Sequence, residues 1–390
     1  MKRKIICIAM LMLLMTNIVF ADFVYKPKEE SSIKTAAPVF NLQSESAILL
    51  DSKTGTVMYS KEPDKKLLPA SVTKVMTLLL TMEAIEEGKL SYDDYIVCSA
   101  RASSMGGSQI YFKENEKLKV TDAIKAVAVV SANDVATALA EHLGGSVENF
   151  VSMMNAKAKA LGMKNTSFKN PHGIDEEGHY TTARDISIMS RELITKHPKI
   201  KEFTSIWMDT LRDGTFGLTN TNKLIRFYEG ATGLKTGSTS KALFNLSATA
   251  TRNNLELIAV VMRAPSSKIR LEEARQLLDY GFANYSNKTF AKKGEVIKKV
   301  PVEKGVVKEV TLVSKNNLDI LSKKGDTGFS RNIKINENIT APINKGDVLG
   351  KVEILKNNKI FKSCDIIALE EVKKITTLDM YRKMLDKIFN

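Results

Sequence analysis

Two groups of short apolar segments flank a helix-rich stretch in the first 280 residues, and this order constrains the fold more than any other feature. Apolar runs bounded by turn residues predict strands at 45–51, 55–60, 243–251 and 255–262. Apolar residues at helical spacing predict helices at 121–143, 150–161, 183–196 and 267–280. Strands from both ends of this region can share one sheet with helices packed on it, which predicts an α/β sandwich over 41–287.

The character of the sequence changes at about residue 292. Short apolar runs follow, separated by Gly294, Gly305, Gly325, Gly346 and Gly350. This pattern is typical of short strands joined by turns. We therefore expect a small all-β domain over 292–372, and no catalytic cluster can be recognised in it.

Both ends of the chain carry signals for export or membrane contact. A basic start and an apolar run that ends at Ala21 predict a signal peptide over 1–21 and a flexible lead-in over 22–40. An uncleaved anchor is the alternative. Residues 373–390 alternate apolar and basic positions at helical spacing, which predicts an amphipathic helix on an anionic membrane surface. The alternative is a helix packed on its own β-domain.

Composition narrows the class of protein further. The three cysteines form no disulfide framework, and the four histidines lack metal-ligand spacing, so we expect no metal and no cofactor. The net charge of +14 is concentrated after residue 285, where about 22 Lys and Arg face about 13 Asp and Glu. A basic surface can bind nucleic acid, anionic lipid or an anionic wall polymer, and export makes nucleic acid the least favoured partner.

Ser71 and Lys74 form the first candidate catalytic pair. They lie three residues apart at the start of an apolar helical segment, and this spacing places two side chains on one helix face. A serine becomes nucleophilic when a neighbouring base takes its proton, and a helix N-terminus offers N–H groups to an oxyanion. Alone, this pattern occurs in many ordinary helix turns.

Two further motifs give that pair a context. Ser131-Ala132-Asn133 and then Lys235-Thr236-Gly237 follow it along the chain. The order S-x-x-K, S-x-N, K-T-G is that of the serine acyltransferases that recognise D-alanyl-D-alanine. Ser131 and Asn133 could also be no more than caps for the helix that resumes at Asp134.

With these motifs, the chain resembles the D-alanyl-D-alanine carboxypeptidases, the low-molecular-mass penicillin-binding proteins. The resemblance covers nearly all of the expected mature chain. It extends to Asn170-Pro171-His172-Gly173-Ile174-Asp175, to the segment 178–185 and to Thr232–Gly237. It implies a penicillin-binding/β-lactamase-like transpeptidase fold, followed by the β-domain and an amphipathic anchor. It also implies an exported protein at the outer face of the cytoplasmic membrane.

The resemblance also implies roles for individual residues. Ser71 would be the acylated nucleophile, Lys74 its base and Ser131 a proton relay to the departing D-alanine. Asn133 would hold the substrate amide. The terminal carboxylate would be bound by Lys235, Thr236 and Arg270. The N–H groups of Ser71 and Ser238 would form the oxyanion hole, and Gly237 would let the substrate strand lie close.

The expected substrates are the stem pentapeptides of peptidoglycan, with β-lactams as covalent inhibitors. Ser238 departs from the histidine found in the best-known members, which leaves the β-lactam profile open. Three rival functions remain at this point. They are a β-lactamase, although the E-x-x-L-N pattern of class A enzymes is absent, a D,D-endopeptidase, and a catalytically silent wall-binding receptor.

Overall fold

A computed structural model describes residues 40–381 of the 390-residue chain. The expected signal peptide and the lead-in up to residue 39 lie outside the described residues, as do residues 382–390. The helices are α1 (Lys74–Glu86), α2 (Ala100–Ser103), α3 (Val120–Val129), α4 (Asn133–Gly144), α5 (Val147–Ala160), α6 (Ala183–Lys196), α7 (Lys201–Thr204), α8 (Leu224–Phe227) and α9 (Ser267–Asn284). Short 3₁₀ turns at Ala70–Thr73 and Pro198–Ile200 lead into α1 and α7.

The strands of the first part of the chain are β1 (Ser46–Asp51), β2 (Val57–Lys61), β3 (Tyr95–Val97), β4 (Lys117–Lys119), β5 (Met208–Leu211), β6 (Phe216–Thr219), β7 (Ala231–Thr239), β8 (Leu243–Arg252) and β9 (Leu255–Ala264). Five of them form one antiparallel sheet in the order β2-β1-β9-β8-β7. The pairs β3–β4 and β5–β6 are separate two-stranded ribbons.

Helices cover both faces of the five-stranded sheet. Because side chains alternate along a strand, β1 sends Ile48 into a core shared with α1, α3, α4, α5 and α6, and Leu49 into a second core shared with α9. In β9, Val260 likewise packs in the first core and Val261 in the second. Both faces of these strands are buried, which explains their continuous apolar sequences. The α/β sandwich predicted from the sequence is confirmed.

The β-rich part of the chain begins at Tyr285, where α9 passes directly into a strand. Its strands are β10 (Tyr285–Ala291), β11 (Val296–Pro301), β12 (Glu309–Ser314), β13 (Leu318–Lys323), β14 (Phe329–Ile335), β15 (Val348–Lys356) and β16 (Lys359–Ala368). β10 pairs with β13, and the others form a sheet in the order β11-β12-β16-β15-β14 around a separate core. The sequence placed the start of this region at about 292 because it gave no strand signal for the polar run of β10.

The segment expected as a C-terminal helix over 373–390 is helical in the described chain only at 377–381. Val372 and Lys374 form bridges to Ile343 and Gly305, so the chain is still extended there. Thr376 accepts a hydrogen bond from the N–H of Asp379 and so caps the start of the helix. Leu378, Met380 and Tyr381 are exposed. Within residues 40–381, no helix is long and apolar enough to cross a bilayer.

Candidate active site

Ser71 lies on the 3₁₀ turn that leads into α1. The preceding residue, Ala70, has a φ of +48°, a left-handed conformation that costs a non-glycine residue about 1 kcal/mol or more. Ser71 itself is half-buried. It occupies the first turn of a helical segment, where backbone N–H groups have no partner within the helix. The turn therefore presents both the hydroxyl and an N–H group at the same point.

The Lys74 amine lies in contact with the Ser71 hydroxyl. Its Nζ is 3.0 Å from Ser71 Oγ, 2.6 Å from Asn133 Oδ1 and 2.7 Å from the backbone oxygen of His172. The last two atoms can only accept hydrogen bonds. A neutral amine has two N–H groups and one lone pair, so donation to Asn133 and His172 leaves the lone pair directed at the hydroxyl of Ser71. The geometry suits a base.

The electrostatic surroundings favour that neutral form. Lys74 is completely buried, and its pKa is held well below the ordinary lysine value, chiefly by burial and secondly by the charge of Lys235. The carboxylate of Asp134 opposes this shift. Among the described residues, no carboxylate forms an ion pair with Lys74, and burial therefore dominates.

Ser131 and Asn133 lie on the sharp turn between α3 and α4. The N-cap of α4 is Ala132, and no side chain caps the helix, so the capping role considered for this motif is not what the structure shows. Ser131 has a φ of +65°, and its buried Oγ has no hydrogen-bond partner in the described chain. Asn133 instead links Lys74 to the backbone oxygen of Gly106, to which its Nδ2 donates at 2.7 Å.

Lys235, Thr236 and Ser238 lie on β7, next to the Ser71 turn. The Lys235 amine is fully buried and donates to the backbone oxygen of Thr236. Burial, and then the charge of Arg270, lower its pKa to about 7. Thr236 Oγ1 donates to Thr221 Oγ1 at 2.7 Å, whereas Ser238 is exposed. The motif thus places an accessible edge of β7 beside Ser71, together with a lysine amine that has no carboxylate partner among residues 40–381.

Gly237 and Arg270 make packing contacts that the motifs did not indicate. A Cβ added to Gly237 would lie 2.8 Å from Pro69 O and from Ser71 N, so this glycine is needed for close contact with the turn that carries Ser71. The guanidinium of Arg270 is buried and donates to the backbone oxygens of Gly237 and Asn245. It supports β7 and lowers the pKa of Lys235, and its buried Nε has no hydrogen-bond partner in the described chain.

Several contributors to this site could not be identified from the motifs alone. His172 supplies a backbone oxygen to Lys74. Gly173 has a φ of +90°, and an added Cβ would lie 1.9 Å from Ala70 O, so only glycine lets the loop approach the nucleophile turn. Asp134 accepts hydrogen bonds from the N–H groups of Ile110 and Phe112. The N-P-H-G segment was the only sequence signal for any of these contacts.

Comparison with known proteins places this architecture in a family. Residues 31–266 match the family profile described as D-alanyl-D-alanine carboxypeptidase, and residues 285–374 match the penicillin-binding protein 5 C-terminal domain. The chain belongs to the D-alanyl-D-alanine carboxypeptidase family. The resemblance inferred from the motifs is confirmed, and so is the predicted order of an α/β domain followed by a β-rich domain.

Individual relatives cover most of the chain. The D-alanyl-D-alanine carboxypeptidase DacF of Bacillus subtilis is 42% identical over 337 residues, which span 85% of this chain and 86% of that protein. The structure of penicillin-binding protein 5 from Haemophilus influenzae has a TM-score of 0.72 at 32% identity and covers 86% of this chain and 99% of that one. Penicillin-binding protein D2 of Listeria monocytogenes, solved in an ampicillin-bound form, has a TM-score of 0.58 at 31% identity and covers 63% of this chain and 99% of that one.

The contact between Gly237 and the nucleophile turn gives a first prediction. In Gly237→Ala the new methyl group would meet backbone atoms of residues 69–72, which cannot move without displacing Ser71. Because displacements of about 1 Å can cost about 100-fold in rate, we expect acylation by a fluorescent penicillin to slow by about that factor, measured by stopped reactions and gel fluorescence.

Gly217→Ala is the matched control, because no atom lies within 4 Å of its added Cβ. Its acylation rate is expected to equal that of the wild type. An unchanged rate in Gly237→Ala, with the protein folded, would contradict the packing argument.

Proposed function

We propose that this protein is a serine D-alanyl-D-alanine carboxypeptidase that removes the terminal D-alanine from peptidoglycan stem pentapeptides through an acyl-enzyme on Ser71. The observation that carries the proposal is the buried Lys74 amine, 3.0 Å from the hydroxyl of Ser71 and with lowered pKa. Family membership and the names of the relatives support the same activity.

Ser71, Lys74 and Ser131 have separate roles in the proposed reaction. Lys74 takes the proton of Ser71 as its Oγ attacks the carbonyl carbon of the penultimate D-alanine, and the resulting oxyanion is stabilised by the N–H groups of Ser71 and Ser238. Ser131, whose Oγ has no partner in the described chain, relays the proton that Lys74 has taken to the nitrogen of the departing D-alanine, which leaves Lys74 neutral again. Water then attacks the ester and gives a proton to Lys74, and this proton returns to Ser71 Oγ as the peptide carboxylate leaves.

Substrate recognition follows from the cation on β7. The Lys235 amine has no carboxylate partner among residues 40–381, and its only hydrogen bond there is to the backbone oxygen of Thr236. Both residues lie on the edge strand β7. A terminal carboxylate supplies the missing charge, since a buried cation is stabilised by a paired anion. We assign the terminal carboxylate to Lys235 and Thr236, and the substrate amide to Asn133 and the edge of β7. β-Lactams, which carry a carboxylate beside the reactive amide, are the expected covalent inhibitors.

Of the rival functions, β-lactamase activity is disfavoured by the site. Class A enzymes use a glutamate to activate the deacylating water. Within the described part of the chain, no carboxylate hydrogen-bonds to Ser71 or Lys74. A D,D-endopeptidase would use the same residues and differs only in the amine that leaves, so substrate assays separate the two.

We also propose an exported protein at the outer face of the cytoplasmic membrane, held there by its C-terminal segment. The basic start and apolar run of residues 1–21 support export. The exposed Leu378, Met380 and Tyr381 of the helical residues 377–381, with Arg382, Lys383 and Lys387 after them in the sequence, support contact with anionic lipid.

The test of the proposed activity is release of D-alanine from Nα,Nε-diacetyl-L-Lys-D-Ala-D-Ala by the chain without residues 1–21. Wild type is expected to release D-alanine continuously. Ser71→Ala is expected to lose the activity to background and to lose covalent labelling by penicillin, because no other group can form the ester. Equal release by both proteins would contradict the assignment of Ser71, and cleavage of cross-linked dimers alone would favour the endopeptidase.

The lowered pKa of Lys235 predicts a pH effect on substrate binding. Below about pH 7 its ammonium attracts the terminal carboxylate, and above it the amine is neutral in the free enzyme. We expect KM to rise as pH increases through 7 while kcat changes less, because the bound carboxylate favours the protonated amine. A substrate with a terminal amide is the control, and a parallel rise in KM for both substrates would contradict the role of Lys235.

A further inference from the structure

Asp134 directly follows the Ser131-Ala132-Asn133 motif and lies in the first turn of α4. Its side chain is completely buried, and no lysine or arginine among residues 40–381 hydrogen-bonds to it. Burial of a carboxylate is costly unless its oxygens are satisfied. The proposed reaction assigns no role to this residue, so the reason for its burial must be found in its contacts.

Backbone N–H groups satisfy both oxygens of this carboxylate. Oδ2 accepts hydrogen bonds from the N–H groups of Ile110 and Phe112, both at 3.0 Å, and Oδ1 accepts one from Val135 at 2.9 Å. Burial raises the pKa of Asp134, and these donors oppose the rise. Because every neighbour of the two oxygens is a donor, the surroundings fit the ionised carboxylate, which can only accept.

The carboxylate also shapes the chain between Ile110 and Phe112. Since the N–H groups of these two residues point to the same oxygen, the chain turns around that oxygen, and Tyr111 has a φ of +55°. A left-handed residue other than glycine persists only where the surrounding structure holds it. Asp134 provides such a hold through the two N–H groups. Arg212 adds another through the backbone oxygens of Ile110 and Tyr111.

The segment 106–112, which contains this turn, also holds Asn133. The backbone oxygen of Gly106 accepts a hydrogen bond from Asn133 Nδ2, and that of Ser108 accepts one from the N–H of Asn133, both at 2.7 Å. With these contacts made, Asn133 Oδ1 lies 2.6 Å from Lys74 Nζ. The segment therefore fixes the amide that contacts the base.

We propose that Asp134 positions the base: its carboxylate holds the segment 106–112 in contact with Asn133, and its negative charge lies next to the amide that binds the base. The base is Lys74, so the inference rests on the proposed function. Asp134 does not touch the reacting atoms. It acts on the reaction through Asn133 and through its charge.

The charge gives this role a signature that packing alone lacks. Burial lowers the pKa of Lys74 most; of the charged groups, Lys235 from β7 lowers it further and Asp134 from α4 raises it. His172, whose backbone oxygen contacts Lys74 from the segment 169–176, has a neutral ring because burial lowers its pKa to about 3. Loss of the charge of Asp134 therefore lets the neutral base form at lower pH.

The test is the pH dependence of acylation by a fluorescent penicillin in Asp134→Asn. The asparagine oxygen can still accept from Ile110 and Phe112, whereas the charge is lost. On the acid side of the profile the rate falls as Lys74 becomes protonated, and the midpoint of this fall is expected at lower pH than in the wild type. An acid midpoint equal to that of the wild type would overturn the proposal.

Asp134→Ala tests the hold on the segment 106–112, because it also removes the acceptor for Ile110 and Phe112. Its acylation rate on the pH plateau is expected to fall about 100-fold, as for a displacement of about 1 Å among reacting groups. A plateau rate equal to that of the wild type would overturn the proposal. If the alanine variant does not fold, as judged by circular dichroism, Asp134→Asn decides the matter.

Asp185 offers the matched control. It is a buried carboxylate in the first turn of α6, where it accepts hydrogen bonds from the N–H of Asn165 and the hydroxyl of Thr166. It does not act on the pKa of Lys74. Asp185→Asn and Asp185→Ala are expected to keep the acid midpoint and the plateau rate of the wild type. Changes equal to those in the Asp134 variants would reduce the effect to loss of any buried carboxylate and overturn the proposal.

Acylation by penicillin separates this inference from the proposed function. It needs Ser71 and Lys74 but no release of D-alanine. A wild type that is acylated and yet releases no D-alanine from the tripeptide would contradict the proposed function alone, and the comparison of the Asp134 and Asp185 variants would still decide the role of Asp134.

Discussion

Three buried basic side chains, Lys74, Lys235 and Arg270, lie in series behind Ser71, and the proposed chemistry of this protein depends on their having no carboxylate partner among the described residues. Each is at most 5% exposed, and each has a pKa lowered by burial. Burying unpaired charge is costly, so the arrangement favours loss of a proton. Lys74 can become a base, and Lys235 a receptor for an anion, because neither is neutralised by an acid of the protein.

The rest of the fold holds this unfavourable arrangement in place. The five-stranded sheet and its two helical layers bury the lysines, and Arg270 reaches from α9 to the backbone of β7 and β8. The turn that carries Ser71 packs closely against Gly237 and against Gly173. Ala70 and Ser131, in the two turns that approach Lys74, both have left-handed backbone, a conformation that persists only where the surrounding structure holds it.

The layers predicted from the sequence are confirmed, and the motifs identified the candidate site residues, because both kinds of prediction depend on local patterns. Continuous apolar strands, helical periodicity and the three motifs each need only a few neighbouring residues. Contacts between segments far apart in the chain could not be predicted from such local patterns. Two examples are the packing of Gly237 on Pro69 and the hydrogen bonds of Arg270 to the backbone of Gly237 and Asn245. The strand β10 could not be predicted because its polar sequence is stabilised by pairing with β13 rather than by a pattern of its own.

The most direct test of this account is the titration of the Lys74 side chain. Nuclear magnetic resonance of protein with ¹³C-labelled lysine, assigned by comparison with Lys74→Arg, reports the protonation of each amine. We predict that the Lys74 resonance titrates well below the ordinary lysine value and that Lys235→Gln moves this titration upward, because a neighbouring positive charge is removed. A Lys74 that remains protonated up to the ordinary lysine range would contradict its role as the base.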